Sequence, residues 1–206
     1  AFTVERTQEL ERTTNHDVVA FLTDVNEHIG PASRWVHYGM TSSDVLDTGL
    51  ALAIQRSGAL LLAEQAALTI TLRDMALRHA DTLCVGRTHG IHAEPTTFGL
   101  KLAGHALESR RNEERLADAI AGASVGKLSG AVGTYAMLDP AIERDVPAAL
   151  GSGGEPAATQ VVARDRHARL GCTMAVAPSS GRRRGTVLRS LHRPERGAGD
   201  AASSGG

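Results

Sequence analysis

The sequence predicts an all-α fold built as a bundle of long helices, and three observations predict it. From Ser42 to Ala80, apolar residues such as Val45, Leu46, Leu50, Ile54, Leu61, Leu68 and Leu72 recur mostly three or four apart, as one face of a helix requires. A second such stretch opens at Glu94-Pro95 and runs through Phe98, Leu102, Ala106, Leu116 and Ile120 to Gly122. Aromatic residues make up only 3% against 42% hydrophobic overall, so Leu, Ala, Val and Ile must do the packing. The only short strand candidate is Thr159-Gln160-Val161-Val162.

The elements follow in order. Asp17 to Ile29 forms a short helix closed by Gly30-Pro31. Ser42-Ser43-Asp44 is a helix start signal, and the helix it opens spans roughly 50 Å at about 1.5 Å per residue. A rod of that length and composition belongs in a helical bundle or across a subunit interface. Pro147, Gly151, Gly153 and Gly154 mark a loop, and Arg164 to Leu170 reads as a short charged segment.

Composition excludes several classes. With 22 basic and 23 acidic residues the net charge is −1, which argues against a nucleic-acid-coating protein. No run of about 18 consecutive apolar residues occurs, so no membrane span is expected. Cys84 and Cys172 form no C-x-x-C pair and no disulfide framework, which fits a reducing, cytoplasmic compartment. The chain opens Ala1-Phe2-Thr3-Val4 and is expected to begin inside a longer protein. Two regions are expected, a helical domain over 1–170 and a tail over 171–206. Six arginines oppose only Glu195 and Asp200 in the tail, which is rich in Gly, Ser and Pro. Such a stretch has too little apolar surface to order itself, and without aromatics it lacks stacking platforms for bases.

The polar chemistry gathers where helices would end. Asn15, His16 and Asp17 sit at a helix start, where free N–H groups and the helix dipole favour an anion. Thr41 and Ser42 combine hydroxyls with another helix start, serving either as plain N-caps or as a carboxylate or phosphate cradle. The segment Gly86 to Glu94 reads as a polar loop carrying His89 and His92. With Glu94 they raise a metal question, but the glycine-interrupted loop lacks the i, i+4 register of a helical zinc motif. Proton transfer suits a loop histidine beside a polar cleft better, and no metal is expected. The glycine-rich stretch Gly126 to Tyr135 lacks the Gly-Lys-Ser/Thr ending and preceding strand of a phosphate loop, so its glycines serve close packing or a tight turn.

Five stretches, in order, resemble the adenylosuccinate lyase family of the fumarase/aspartase superfamily: Thr14 to Phe21, Trp35 to Thr48, Gly86 to Gly99 (GRTHGIHAEPTTFG), Gly126 to Ala136 (GKLSGAVGTYA), and Thr159-Gln160 with Arg164 to Ala168. The resemblance implies an all-helical homotetramer with active sites assembled from three subunits. It implies cofactor-free β-elimination of fumarate from a small nucleotide substrate, adenylosuccinate, and from the succinylated imidazole-carboxamide ribotide of purine synthesis. By motif, His89 would be the general acid and His37 would assist or orient it. Asn15, His16 and Asp17 would contact the nucleotide, Thr41 and Ser42 the succinyl carboxylate, and Gln160 would position substrate.

The chain departs from the family's pattern in two ways. Asn15 stands where many relatives have a basic residue, leaving a hydrogen bond in place of a charge contact. The loop carrying the family's general-base serine, roughly Gly-Ser-Ser-x-Met-Pro-x-Lys-x-Asn-Pro, does not occur among these residues. Twenty arginines against two lysines suggest arginine-rich coding, and a reading-frame slip near residue 170 would produce the basic tail.

Overall fold

The computed structural model describes residues 2–174; the expected disorder of the tail falls almost wholly outside the described residues. The described chain is mainly helical. It divides into two compact units, one of residues 1–63 with 116–170, the other built on 64–115.

In the first unit, α1 (Val4–Thr14) and α2 (Asp17–Ile29) pair. The α1 helix has few apolar residues, so periodicity did not signal it. It is held by a polar anchor: the buried Asp24 carboxylate on α2 accepts from the Thr3 N–H and the Thr7 hydroxyl, each at 3.1 Å. Arg6 adds an ion pair to Glu27 at 2.7 Å. As expected, α2 ends at Gly30, and a 3₁₀ turn follows over Gly30–Trp35.

The long helix α3 (Ser42–Arg78) starts at the expected serine. Its buried face in the first unit differs from the expected one, comprising Asp44, Asp47, Thr48, Ala51, Ile54 and Gly58. Leu46, Leu50, Leu60 and Leu61 point outward, Leu60 being 72% exposed. The helical period holds and the phase differs, because the inner face meets the 127–130 stretch through Asp44 and Thr48 and the 162–164 segment through Asp47. Between Thr48 and Leu72 only Arg56 and Glu64 are charged. An 18-residue window of α3 is thus apolar enough, by length and composition, to cross a bilayer. Isolated Gln, Ser and Thr interrupt the apolar run that the sequence expectation required, without making the helix polar. At Gly58, a Cβ would lie 2.6 Å from the Ile120 side chain, so the α3 backbone approaches α4 closely there.

In the second unit, strands β1 (Leu83–Thr88) and β2 (Ile91–Thr97) form an antiparallel hairpin where the sequence reading expected a loop. Helix α4 (Phe98–Ala123) begins three residues later than the Pro95 signal suggested. Pro95 lies in β2 opposite Val85, and Thr97 caps the helix by accepting the Leu100 N–H at 3.1 Å. Gly99 is pressed against the end of α3, where a Cβ would meet the Ala76 carbonyl at 2.5 Å. Further along, Gln65 donates to the Ser109 hydroxyl at 2.7 Å, a polar tie between helices in a unit whose buried apolar residues include Leu102 and Ala106.

The rest of the first unit is a loop from 124 to 138, helix α5 (Pro140–Ala149), and an irregular segment leading to a 3₁₀ turn at Arg164–His167. Pro147, expected in a loop, lies buried inside the last turns of α5. Two-residue strands β3 (Val125–Gly126) and β4 (Gly153–Gly154) pair in parallel. The strand candidate 159–162 is not a strand: Val162 is buried and its N–H is taken by Asp47 at 2.9 Å, which leaves no ladder partner. A helix covers 168–174, crossing the boundary expected at 170.

Candidate functional site

In the first unit, three turns carry the polar residues that the sequence singled out. Asn15 ends α1 in the left-handed region (φ 50°), a conformation asparagine tolerates. Its backbone N–H closes α1 on the Glu11 carbonyl. His16 then caps α2: its Nδ1 accepts the Val19 N–H at 3.4 Å. That acceptor role puts the proton of a neutral ring on Nε2, which faces the Ser42 hydroxyl at 3.4 Å. His16 and Ser42 are thus brought together. Asp17 Oδ1 lies 3.3 Å from Nδ1.

The second turn holds His37, Thr41 and Ser42. His37 has φ 65°, unusual outside glycine, and its Nε2 is buried with no partner among the described residues. A positive φ outside glycine and a buried ring nitrogen without a partner each carry a free-energy cost. Gly39 must lack a side chain, since its φ is 69° and a Cβ would lie 2.8 Å from Leu138. Thr41 occupies the cap position of α3. The cap itself is made by Asp44, whose Oδ2 accepts the Thr41 N–H at 2.9 Å.

Asp44 is also the centre of a buried charge cluster that the sequence reading missed. Its Oδ2 accepts the Gly130 N–H at 3.1 Å and its Oδ1 accepts from Lys127 Nζ at 2.5 Å. Lys127 Nζ also donates to the Gly130 carbonyl at 3.0 Å, and both ionic side chains are 0% exposed. Thr48 Oγ1 accepts the Lys127 N–H at 3.0 Å and donates to its carbonyl at 3.1 Å. The glycine-rich stretch is therefore a strap tied to the start of α3. The available signal was a lone lysine in a loop otherwise made of glycine and small residues, with acids one turn apart at 44 and 47.

Gln160 is exposed on the segment between Glu155 and Val162. That segment is anchored at both ends: Arg166 makes a two-pronged pair with Glu155, and Arg164 pairs with Asp47 at 2.8 Å. Gly133 (φ 80°) lets the strap touch it, since a Cβ there would lie 1.9 Å from the Ala158 carbonyl oxygen. At the strap's far end the Tyr135 hydroxyl donates to Glu143, which also accepts the Leu128 N–H at 2.8 Å. That hydrogen bond to Glu143, with some burial, raises the Tyr135 pKa. A raised folded-state pKa means the contribution is full below about pH 10, where the unfolded tyrosine ionises, and is lost as pH rises through the folded value. The melting temperature should accordingly fall more steeply above about pH 10 in the parent than in Tyr135→Phe. Parallel curves would contradict the assignment.

In the second unit, the hairpin pairs Thr88 with Ile91 and leaves His89-Gly90 as a two-residue turn. Both have positive φ, 53° and 77°, the requirement of the turn whose twist matches paired strands. The His89 ring is exposed at the tip, outside apolar packing. Gly86 forms the bulge beside it; a Cβ there would strike the Glu94 carbonyl at 2.5 Å. The seven site residues Asn15, His16, Asp17, His37, Thr41, Ser42 and Gln160 thus belong to the first unit and His89 to the second.

Comparison with known proteins follows the same residues. The profile of a family described as lyase matches residues 1–180. Adenylosuccinate lyase from Synechocystis is 47% identical over 194 residues, and that from Bacillus subtilis 45% identical over 195. These alignments cover 94% and 95% of this chain and 45% of each relative, so the chain spans about half the length of the curated relatives it matches. Among solved structures, a fumarate lyase from Mesorhizobium superposes with a TM-score of 0.81 at 27% identity, covering 93% of this chain and 46% of that one. The 3-carboxy-cis,cis-muconate lactonizing enzyme of Pseudomonas putida gives 0.76 at 28%, covering 94% of this chain and 46% of that one. By sequence and by fold, the chain belongs to the lyase family.

Proposed function

We propose that this chain carries the nucleotide-binding turns, the succinyl-binding turn and the general acid of an adenylosuccinate lyase. The observation that carries the reading is 44–47% identity to four adenylosuccinate lyases along nearly the whole chain. The reaction is β-elimination. A base takes the proton next to a carboxylate of the succinyl arm, and the carbanion's charge spreads onto that carboxylate. The C–N bond then breaks to release fumarate, and an acid protonates the departing nitrogen. The products are AMP from adenylosuccinate and the free carboxamide ribotide from its imidazole counterpart.

His89 is the acid in this scheme, and an exposed ring on a two-residue turn suits it to meet a substrate. His37 assists or orients, with a ring nitrogen that no described residue satisfies. Thr41 and Ser42 hold the succinyl carboxylate. Asn15, His16 and Asp17 contact the nucleotide, and Gln160 positions it. The base is the serine of a loop that these residues do not contain. The 206-residue chain alone is therefore expected to bind adenylosuccinate and to show no measurable elimination, followed by fumarate release. Turnover near that of a complete lyase would contradict the proposal, because another base would have to act.

Self-association follows from α3 and α4, which expose Leu46, Leu50, Leu60, Leu61, Leu100 and Leu107. Apolar surface of this extent is suited to burial against other copies, as in a homotetramer. Sedimentation giving a discrete tetramer supports that assembly; a monomer contradicts it.

A further inference from the structure

We propose that Lys127 and Asp44 form a charge-balanced positioning pair for the Thr41–Ser42 end of α3. Asp44 shapes that end and Lys127 cancels the negative charge this introduces beside an incoming dicarboxylate. The inference rests on the reading that Thr41 and Ser42 receive the succinyl arm.

Asp44 is the third residue of α3 and holds two backbone N–H groups, Thr41 at 2.9 Å and Gly130 at 3.1 Å. One carboxylate thus fixes both the cap of the helix and the strap that packs on it. The strap in turn supports the turn bearing His37: a Cβ on Gly130 would lie 3.3 Å from the Gly39 carbonyl. An acid in a helix's first turn is ordinary where that end faces only water. Where the end must take up a carboxylate, the same acid repels the ligand through a dry interior that screens poorly.

Lys127 resolves the conflict without touching the ligand. Its side chain is 0% exposed and its ammonium is occupied by Asp44 Oδ1 and the Gly130 carbonyl. A buried ion pair is seldom retained for stability, since apolar residues of similar volume often do as well or better. Here neutralising Asp44 where the ligand's charge arrives gives the lysine a function that an apolar residue lacks.

The test is calorimetric titration of the full 206-residue chain with adenylosuccinate and with AMP, which lacks the succinyl arm. Melting temperatures are measured alongside. Lys127→Met leaves Asp44 uncompensated and should weaken adenylosuccinate binding by about tenfold or more, while AMP changes by less than about twofold. Asp44→Asn keeps the lysine's charge and should bind adenylosuccinate at least as tightly as the parent although it melts lower. The double variant Lys127→Met/Asp44→Asn carries no charge at the pair and should return to within about threefold of the parent. A merely structural role would weaken both ligands in the order of lost stability. That result, or parent-like adenylosuccinate affinity in a folded Lys127→Met, would overturn the inference and leave the site reading intact. If Lys127→Met does not fold, the other two variants decide: a double variant more than about tenfold weaker than the parent overturns charge balancing. A parent chain that takes up neither ligand would overturn the site reading, and the inference with it.

Discussion

Asp44→Ala is expected to destabilise the chain by about 3–5 kcal/mol, the usual cost of removing one partner from a buried ion pair. The substitution strands the Lys127 ammonium at 0% exposure with the Gly130 carbonyl as its one remaining partner among the described residues. It also frees the Thr41 and Gly130 N–H groups that share Asp44 Oδ2. The loss is larger than a surface pair would give, because exposed pairs are typically worth less than about 1 kcal/mol. Replacing both partners, as Lys127→Met/Asp44→Asn, should recover most of the loss, since no buried charge then remains unpaired and the asparagine oxygen can still accept the Thr41 and Gly130 N–H groups. Urea denaturation of the parent, the single variant and the double variant measures the cycle. A single variant within about 1 kcal/mol of the parent would mean that the pair is not sealed from water.

The sequence showed much of this architecture and concealed specific parts of it. Helix starts were readable where a side chain makes the cap, as at Ser42 and Asp17, and the stop at Gly30-Pro31 was equally plain. The hairpin was not, because its turn is His89-Gly90 rather than the Asn-Gly or Asp-Gly pair that usually marks one. Pro95 then pointed to a helix start, although in a two-stranded ribbon a proline can sit in a strand whose outer edge needs no donor. Pro147 misled in the opposite direction, being accommodated inside α5.

Burial was harder to read than secondary structure. Periodicity gave α3 its helix but not the direction it faces, and Leu46, Leu50 and Leu60 turned outward while Asp44, Asp47 and Thr48 turned in. Apolar residues on an exposed face and on a core face have the same spacing, so one chain's sequence cannot tell them apart. The candidate site followed the same division. His16, His37, Thr41, Ser42 and His89 stood out as polar residues in turns. The Asp44–Lys127 pair depends on a contact 83 residues apart in sequence, which no local pattern announces.

In the proposed lyase reaction, the imidazole of His89 donates the proton to the leaving nitrogen. The largest functional effect is therefore expected at this residue. A chimera joining residues 1–180 of this chain to the remainder of the Bacillus subtilis relative would supply the missing base, and 45% identity makes that graft reasonable. Asparagine tolerates the left-handed backbone at φ 53°, so His89→Asn keeps the hairpin turn while removing the acid. The chimera should eliminate fumarate from adenylosuccinate. Its His89→Asn variant should do so about 100- to 10,000-fold more slowly, with adenylosuccinate affinity within about threefold of the parent. A His89→Asn chimera that keeps turnover within about threefold of its parent would contradict the assignment.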